Sequence, residues 1–402
     1  MGLSWIAVSV LYSATMAKRT KTNTTKTSTK ERSTRKSALA EHLAARQKAL
    51  RKVMKKRGFD GMLVSNPPDI RYLSGYLGHD AYLLITSRRA IFFSDFRYEE
   101  DLEPFRKWAK VVMRKLSLAH DAGAAANDLC LRRVALQAEY LKVPERAAIA
   151  KAIGKSKVRD TSSILTGLRT IKDAIEVRTI RKAVKIAQDA LAATIKRLKS
   201  GQTERAICAW LEYEMKMAGA EGPGFAPIIA AQANGSRPHY SPSEKVKLVR
   251  RQPLLVDWGA CVDGYTSDLT RTFGFGGMPA KVQEIYEIVL ESQLAAIAVI
   301  KPGVELRAVD SAARSVIEKA GYGDRFGHGL GHGIGLDVHE APGMSFRSKK
   351  GAVLEAGMIV TVEPGIYLPG IGGVRIEDDV LVTEGGRSVL SNYPKTLKSA
   401  IL

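Results

Sequence analysis

Five residues in the C-terminal half of this 402-residue chain carry side chains that bind hard cations: Asp257, Asp268, His332, Glu363 and Glu377. Each lies in a short stretch rich in Gly, Thr or β-branched residues: LLVDWGA at 254–260, YTSDLTRTF at 265–273, GHGLGHGIGLDVHE at 327–340, IVTVEPGIY at 359–367 and GVRIEDD at 373–379. Four carboxylates and one imidazole form an oxygen-dominated donor set. Such a set suits a pair of divalent ions such as manganese better than thiol-loving zinc. The charges also match, because four carboxylates offset two divalent cations and leave room for a bridging hydroxide. Metal pairs held this way turn water into a nucleophile near neutral pH, so the expected chemistry is two-metal hydrolysis.

The elements around these residues must bring them together. Asp257 and Asp268 are separated by Gly259, Asp263 and Gly264, which fits a strand, a tight turn and a returning strand. Either aspartate alone reads equally well as a turn or surface residue. The apolar lead-in Leu254-Leu255-Val256 argues that Asp257 is buried, where an unpaired carboxylate is costly. The stretch 327–340 holds His328, His332 and His339 among five glycines, and four of the seven histidines fall between 239 and 339. One ring would ligate metal, and the others could donate hydrogen bonds to a substrate carbonyl or a tetrahedral intermediate. Two rival readings of that stretch fail. His339-Glu340 begins a zincin-like pattern, but Ala341-Pro342-Gly343 follow and the second His is missing. A phosphate loop would need a Lys-Ser/Thr ending, which is absent. Glu363 follows the apolar run Ile359–Val362, and Arg375 shares a strand face with Glu377, where its guanidinium could lock the carboxylates or form a mere surface pair.

Taken together, these motifs resemble the pita-bread metallopeptidases, the family of aminopeptidase P, prolidase and methionine aminopeptidase. The resemblance spans residues 175–402, with a weaker one to the family's N-terminal domain over 40–160 through NPPDIRYLSGYLGHDAYLLIT and FFSDFRYEE. It implies an α/β (α+β) chain. A smaller creatinase-type N-terminal α/β domain would occupy 39–170 and a pita-bread (creatinase/aminopeptidase) catalytic domain 171–402, after a disordered basic extension at 1–38 that the family does not explain. It also implies that Asp257, Asp268, His332, Glu363 and Glu377 hold a dinuclear centre, with Mn(II) expected and Co(II) or Zn(II) as alternatives. By the same resemblance His239, in NGSRPHYSP, binds substrate, His328 and His339 flank the ligand and contact substrate, and Arg375 stands behind the ligands. Glu363 doubles as the candidate proton shuttle.

The extra N-terminal domain, the His-x-x-x-His of 328 and 332 and the Arg-x-Glu of 375 and 377 favour the proline-specific members. Proline's peptide nitrogen carries no hydrogen and its φ is fixed, so such a site must grip the ring by shape. The expected activity is Xaa-Pro aminopeptidase, on peptides with Pro at the second position. The alternative is Xaa-Pro dipeptidase, that is, prolidase. Two further readings are a non-catalytic nucleic-acid or ribosome-binding protein on the same fold, and a creatinase-like hydrolase without metal. Family members assemble as homodimers or homotetramers partly through the N-terminal domain, and the same is expected here.

Composition sets the remaining bounds. The chain carries 62 basic and 41 acidic residues, a net charge of +21. Residues 18–57 contribute fifteen Lys/Arg against Glu31 and Glu41, so the globular remainder is only mildly basic. The first part of that basic segment, residues 18–36, is expected to be a solvated tail with at most weak contact to polyanions, and aromatic interleaving for base stacking is absent from it. Cys130, Cys208 and Cys261 have neither metal nor disulfide spacing, which points to a reducing, cytoplasmic setting. No run approaches a membrane span. Residues 1–17 resemble a secretory signal only faintly, and Met16 is an alternative start.

A basic helix is expected from Ser37 to Arg57, with Leu39, Leu43, Leu50, Val53 and Met54 on one face and Gln47 interrupting it. GMLVSN, AYLLIT, AIFFSD, KVVM and VALQ read as strands. Long helices are expected from Asp173, from Thr203 to about Met217, over 280–300 and over 305–320.

Overall fold

The computed structural model describes residues 24–402, with side chains from Leu39 onward except that of Ser156. The chain divides into two units, Met1–His42 and Leu43–Leu402. In the first, the described backbone belongs to the helix Thr24–Arg57, which begins well before Ser37. The described helix thus reaches into the segment expected to be an extension. The first turns of this helix are rich in Thr and Ser with Lys and Arg and carry no apolar stripe, so apolar periodicity gives no signal for them. The rest of the expected extension lies outside the described residues.

In the second unit, six strands form one mixed sheet in the order Lys110–Met113, Ala90–Ser94, Tyr82–Thr86, Gly61–Val64, Val134–Gln137, Val158–Thr161. Five of these are the apolar runs expected from sequence. The sixth, VRDT, is a short and mostly polar edge strand that carries no periodic signal. Side chains alternate between two cores, as strand pleating requires. Met62, Val64, Leu83, Ile85 and Phe92 face one core with Leu50, Met54 and Leu73. Leu63, Leu84, Ile91, Phe93 and Leu136 face the other, against Ala122, Ala126, Ile149 and Ile153 of two short helices. Gln47, expected to interrupt the helix face, is buried because its amide donates to Leu73 O at 3.0 Å.

The helix Ala174–Ile195 opens on a capping box, with the Asp173 carboxylate accepting from Ile175 N and Glu176 N. Thr203 caps Glu204–Met217 by accepting from Ala206 N. These two helices pack through Ile180, Ala187, Ile207 and Leu211 on the strands that carry Ile229, Leu254, Val256 and Trp258. The helices Ala280–Val299 and Leu306–Lys319 pack with Val360, Val362, Val374, Val380 and Val382 in a separate core. Helix pairs thus back two curved strand systems, the pita-bread arrangement. One system is the antiparallel sheet Leu269–Phe275, Gln252–Trp258, Ile228–Ala231. The other runs Glu340–Met344, Gly331–Gly333, Ile359–Val362, Asp378–Thr383, Gly386–Val389. A bridge from Thr270 to Glu377 joins the two at the point where the acidic residues gather.

Candidate active site

Each acidic residue stands where a strand ends or bends. The 257/268 hairpin forms as expected. Asp263 and Gly264 both have positive φ (45° and 73°), the pair of values that a type I′ turn demands. Asp257 pairs with Thr270 on one side and Ile228 on the other, and Asp268 follows the turn just before the returning strand. Glu363 comes directly after Ile359–Val362, and its backbone N–H donates to Leu330 O at 2.9 Å. Glu377 sits in the break between Gly372–Arg375 and Asp378–Thr383, with its N–H donating to Thr270 O at 3.1 Å. His332 is central in the short strand Gly331–Gly333. The glycines beside it leave no room for larger residues: a Cβ at Gly331 would lie 2.1 Å from Thr361 O.

All nine residues singled out from sequence line one cavity of about 810 Å³: Asp257, Asp268, His332, Glu363, Glu377, His239, His328, His339 and Arg375. Donor atoms of Asp268, His332 and Glu377 lie within 4.8 Å of one another. Glu363 Oε1 is 3.3 Å from His332 Nε2, and Asp268 Oδ2 is 3.7 Å from the same nitrogen. His332 Nδ1 donates to Gly333 O at 3.0 Å, which fixes the tautomer and turns Nε2 toward the carboxylates.

Arg375 ties the carboxylates to the substrate side. Its Nη2 donates to Asp257 Oδ2 at 2.5 Å, Nε to Thr270 Oγ1 at 3.0 Å and Nη1 to the Tyr367 hydroxyl at 3.0 Å. Thr270 in turn donates to Glu377 Oε2 at 2.6 Å. The Tyr367 hydroxyl lies 2.9 Å from His328 Nε2, while His328 Nδ1 donates to Gly329 O at 2.8 Å. Tyr367 therefore donates to the Nε2 lone pair, and a chain runs from guanidinium through phenol to imidazole. The His339 ring stands 4.4 Å from that of His332, nearly edge-on.

Electrostatics mark the cluster as a cation site. Burial first, then mutual repulsion, pushes the Asp268 and Glu377 carboxyls well above the ordinary carboxylate range. Burial raises Asp257 as well, against the opposing charge of Arg375. Burial would also raise Glu363, but its bond to His332 overrides this and holds it below the usual range. Burial lowers His328 and His339, keeping both rings neutral. Asp257 Oδ1 and Glu377 Oε1 are buried without a hydrogen-bond partner. Buried, unpaired carboxylate oxygens beside an outward-turned imidazole nitrogen are the donor set of hard divalent cations, and these residues fit a metal pair.

Sequence reading missed Tyr367 and Asp379. Tyr367 stands inside the quoted EPGIY motif, but nothing local marks its hydroxyl as the link between Arg375 and His328. Asp379 Oδ2 accepts the Asp268 N–H at 3.1 Å, Oδ1 has no partner, and burial pushes its carboxyl up to about 8. The Glu377-Asp378-Asp379 run was the available signal, since consecutive acids leading into a strand point to alternate faces and cannot all face solvent. On either side of His239 in the chain, Ala231 N, Asn234 Nδ2, the Tyr240 hydroxyl and Ser243 N all donate to the buried Glu204 carboxylate at 2.7–3.0 Å.

Fold and site together define a metal-dependent hydrolase on a pita-bread scaffold. The chain belongs to metallopeptidase family M24, whose model matches residues 178–384, and a creatinase/prolidase N-terminal domain matches 46–171. It is 35% identical to an Xaa-Pro dipeptidase of Pyrococcus horikoshii over 87% of this chain and 97% of that protein. An Xaa-Pro dipeptidase structure from Bacillus anthracis superposes with a TM-score of 0.85 at 37% identity, covering 90% of this chain and 100% of the other. An X-Pro aminopeptidase structure from Thermotoga maritima gives 0.79 at 34% identity, over 86% and 98%. The chain therefore sits in the prolidase/aminopeptidase P branch, and it is a peptidase. Among the described residues no helix is long and apolar enough to cross a membrane.

Proposed function

We propose that this peptidase is an Xaa-Pro dipeptidase, which hydrolyses the bond ahead of proline in a dipeptide. The relatives named for that activity favour it over the Xaa-Pro aminopeptidase expected from sequence. The observation that carries the reading is the convergence of four carboxylates, with unpaired buried oxygens on Asp257 and Glu377, and the Nε2 of His332 on one cavity.

Asp257, Asp268, His332, Glu363 and Glu377 would hold two divalent ions, manganese being the best match to the donor set. When bound, such a pair lowers the pKa of water and polarises a carbonyl. The protein's own residues do the rest. Arg375 holds Asp257 in one rotamer and, through Tyr367, keeps His328 neutral and oriented. His239 and His339, both lining the cavity, support the substrate backbone and the developing oxyanion. Glu363 Oε1, beside His332, takes the proton lost by the attacking water and delivers it to the proline nitrogen. Proline is a poor leaving amine until protonated, so that delivery is where Glu363 matters most.

One second reading is the Xaa-Pro aminopeptidase expected from sequence, an activity named for a relative of similar fold. A manganese-loaded assay comparing a Gly-Pro dipeptide with an Xaa-Pro-Pro peptide separates the two. Faster turnover of the dipeptide supports prolidase activity, faster turnover of the longer peptide supports aminopeptidase activity, and inertness toward both refutes the proposal.

A further inference from the structure

A second buried cluster of charges lies outside the cavity, between the N-terminal sheet and the segment that follows His332. Arg169 is 3% exposed and meets three carboxylates. Its Nη1 donates to Asp69 Oδ1 at 2.7 Å, and its Nη2 donates to Asp337 Oδ2 at 2.6 Å and to Glu340 Oε1. Asp69 is anchored from behind, its Oδ2 accepting from Gln137 Nε2 at 2.6 Å and Asn66 Nδ2 at 3.1 Å. Gln137 is itself pinned by Ser65 N and Asn66 N at 2.7 and 3.1 Å. On the far side Glu340 accepts from Lys172 Nζ and Asp337 N, each at 3.1 Å.

Stability is a weak reason for such a network, since well-packed apolar residues commonly serve as well as buried ion pairs. What the network fixes is position. His339 lies between the two clamped acids, one peptide bond from Glu340, and its side chain lines the cavity. Glu340 also pairs across strands with Gly333, next to His332. The packing there is close: a Cβ at Gly333 would lie 2.2 Å from Ala341 O, and one at Gly335 would lie 2.8 Å from the Glu340 carboxylate oxygens. The turn cannot shift without disturbing both rings. None of the residues that line the cavity comes from the N-terminal domain.

We propose that Arg169 is a positioning residue for the reaction: it ties the His339 turn to Asp69, so the N-terminal domain sets where the His339 ring stands without touching substrate. The inference rests on the substrate-supporting role given to His339 above.

The test uses the full chain in two arms. Hydrogen exchange on Arg169→Met should speed amide exchange over 333–341 by about tenfold or more while leaving the strand Leu269–Phe275 at the wild-type rate. Wild-type exchange over 333–341 would overturn the proposal whatever happens to the melting temperature. The second arm is a double-mutant cycle in kcat/KM on an Xaa-Pro substrate. Arg169→Met should cost about tenfold in the wild-type background and less than about threefold in a His339→Ala background. Losses that multiply would mean Arg169 acts elsewhere and would sink the idea. Arg169→Lys keeps the charge but cannot span the three carboxylates, and it should recover activity only in part. Should Arg169→Met fold poorly, Asp69→Asn releases the anchor alone and should loosen the same segment. A wild-type chain inert toward Xaa-Pro peptides would refute the functional reading and leave the exchange arm to judge the clamp.

Discussion

Replacing Arg375 by Met removes a guanidinium buried among the cavity carboxylates, so its effects can be worked from the geometry. Three donated hydrogen bonds disappear, to Asp257 at 2.5 Å, Thr270 at 3.0 Å and Tyr367 at 3.0 Å. Breaking a buried ion pair by removing one partner typically costs about 3–5 kcal/mol, because the other charge is stranded. Here Asp257 is 9% exposed and its Oδ1 already lacks a partner, so the upper half of that range applies to the metal-free protein. Divalent ions would neutralise part of the stranded charge. The variant should therefore be much less stable than wild type without metal and regain most of the deficit with manganese. Loss of an orienting group behind the ligands should also weaken metal affinity by about 10–100-fold. Denaturant midpoints with and without manganese, together with a calorimetric manganese titration, measure both effects. A variant with wild-type midpoints and wild-type manganese affinity would refute the role given to Arg375.

Three further outcomes are expected. Glu363→Ala should lose turnover while keeping its circular dichroism spectrum; residual activity near wild type would transfer the proton-shuttle role to another group. Glu204→Gln places an amide donor among four donors, which should cost about 1–3 kcal/mol and raise KM more than it lowers kcat, because those donors flank His239 in the chain and hold the segment that carries it; steady-state kinetics and denaturant unfolding report the two effects. Glu340 is buried, which would raise its pKa, but Lys172 and Arg169 hold it below the usual carboxylate value. A depressed folded value means its contribution is complete above the unfolded pKa of about 4.3 and is lost as pH falls through the lower folded one. The stability gap between wild type and Glu340→Gln should accordingly narrow on acidification below that point, and a gap independent of pH would contradict the pairing.

Periodicity and turn chemistry sufficed where the governing interactions are local. The Asp263-Gly264 turn, the Asp173 and Thr203 caps and the apolar strand runs can all be read from a few neighbouring residues. The metal-ligand candidates were equally open to reading, because four carboxylates in apolar or glycine-rich settings make sense only if a cation gathers them. The extent of the helix Thr24–Arg57 escapes the sequence because apolar patterning reports packing, and its Thr-, Ser- and Lys-rich start carries no apolar stripe. Tyr367 and Asp379 were passed over because their importance lies in what stands opposite them, Arg375 and His328 in one case and the Asp268 amide in the other.

The sequence alone determined which side chains can bind cations, that strands and helices alternate so as to bury them, and hence the reaction class. Tertiary structure decided which atoms face one another. Only the folded chain turns His332 Nε2 toward the acids and strings Arg375, Tyr367 and His328 into one relay, and only there is the His339 turn bound to the N-terminal domain through Arg169. The reason is physical. Propensity and patterning act over a few residues, whereas the orientation of a ring or carboxylate follows from partners that the fold brings in from elsewhere in the chain, 39 positions away for His328 and Tyr367 and 118 for Arg375 and Asp257.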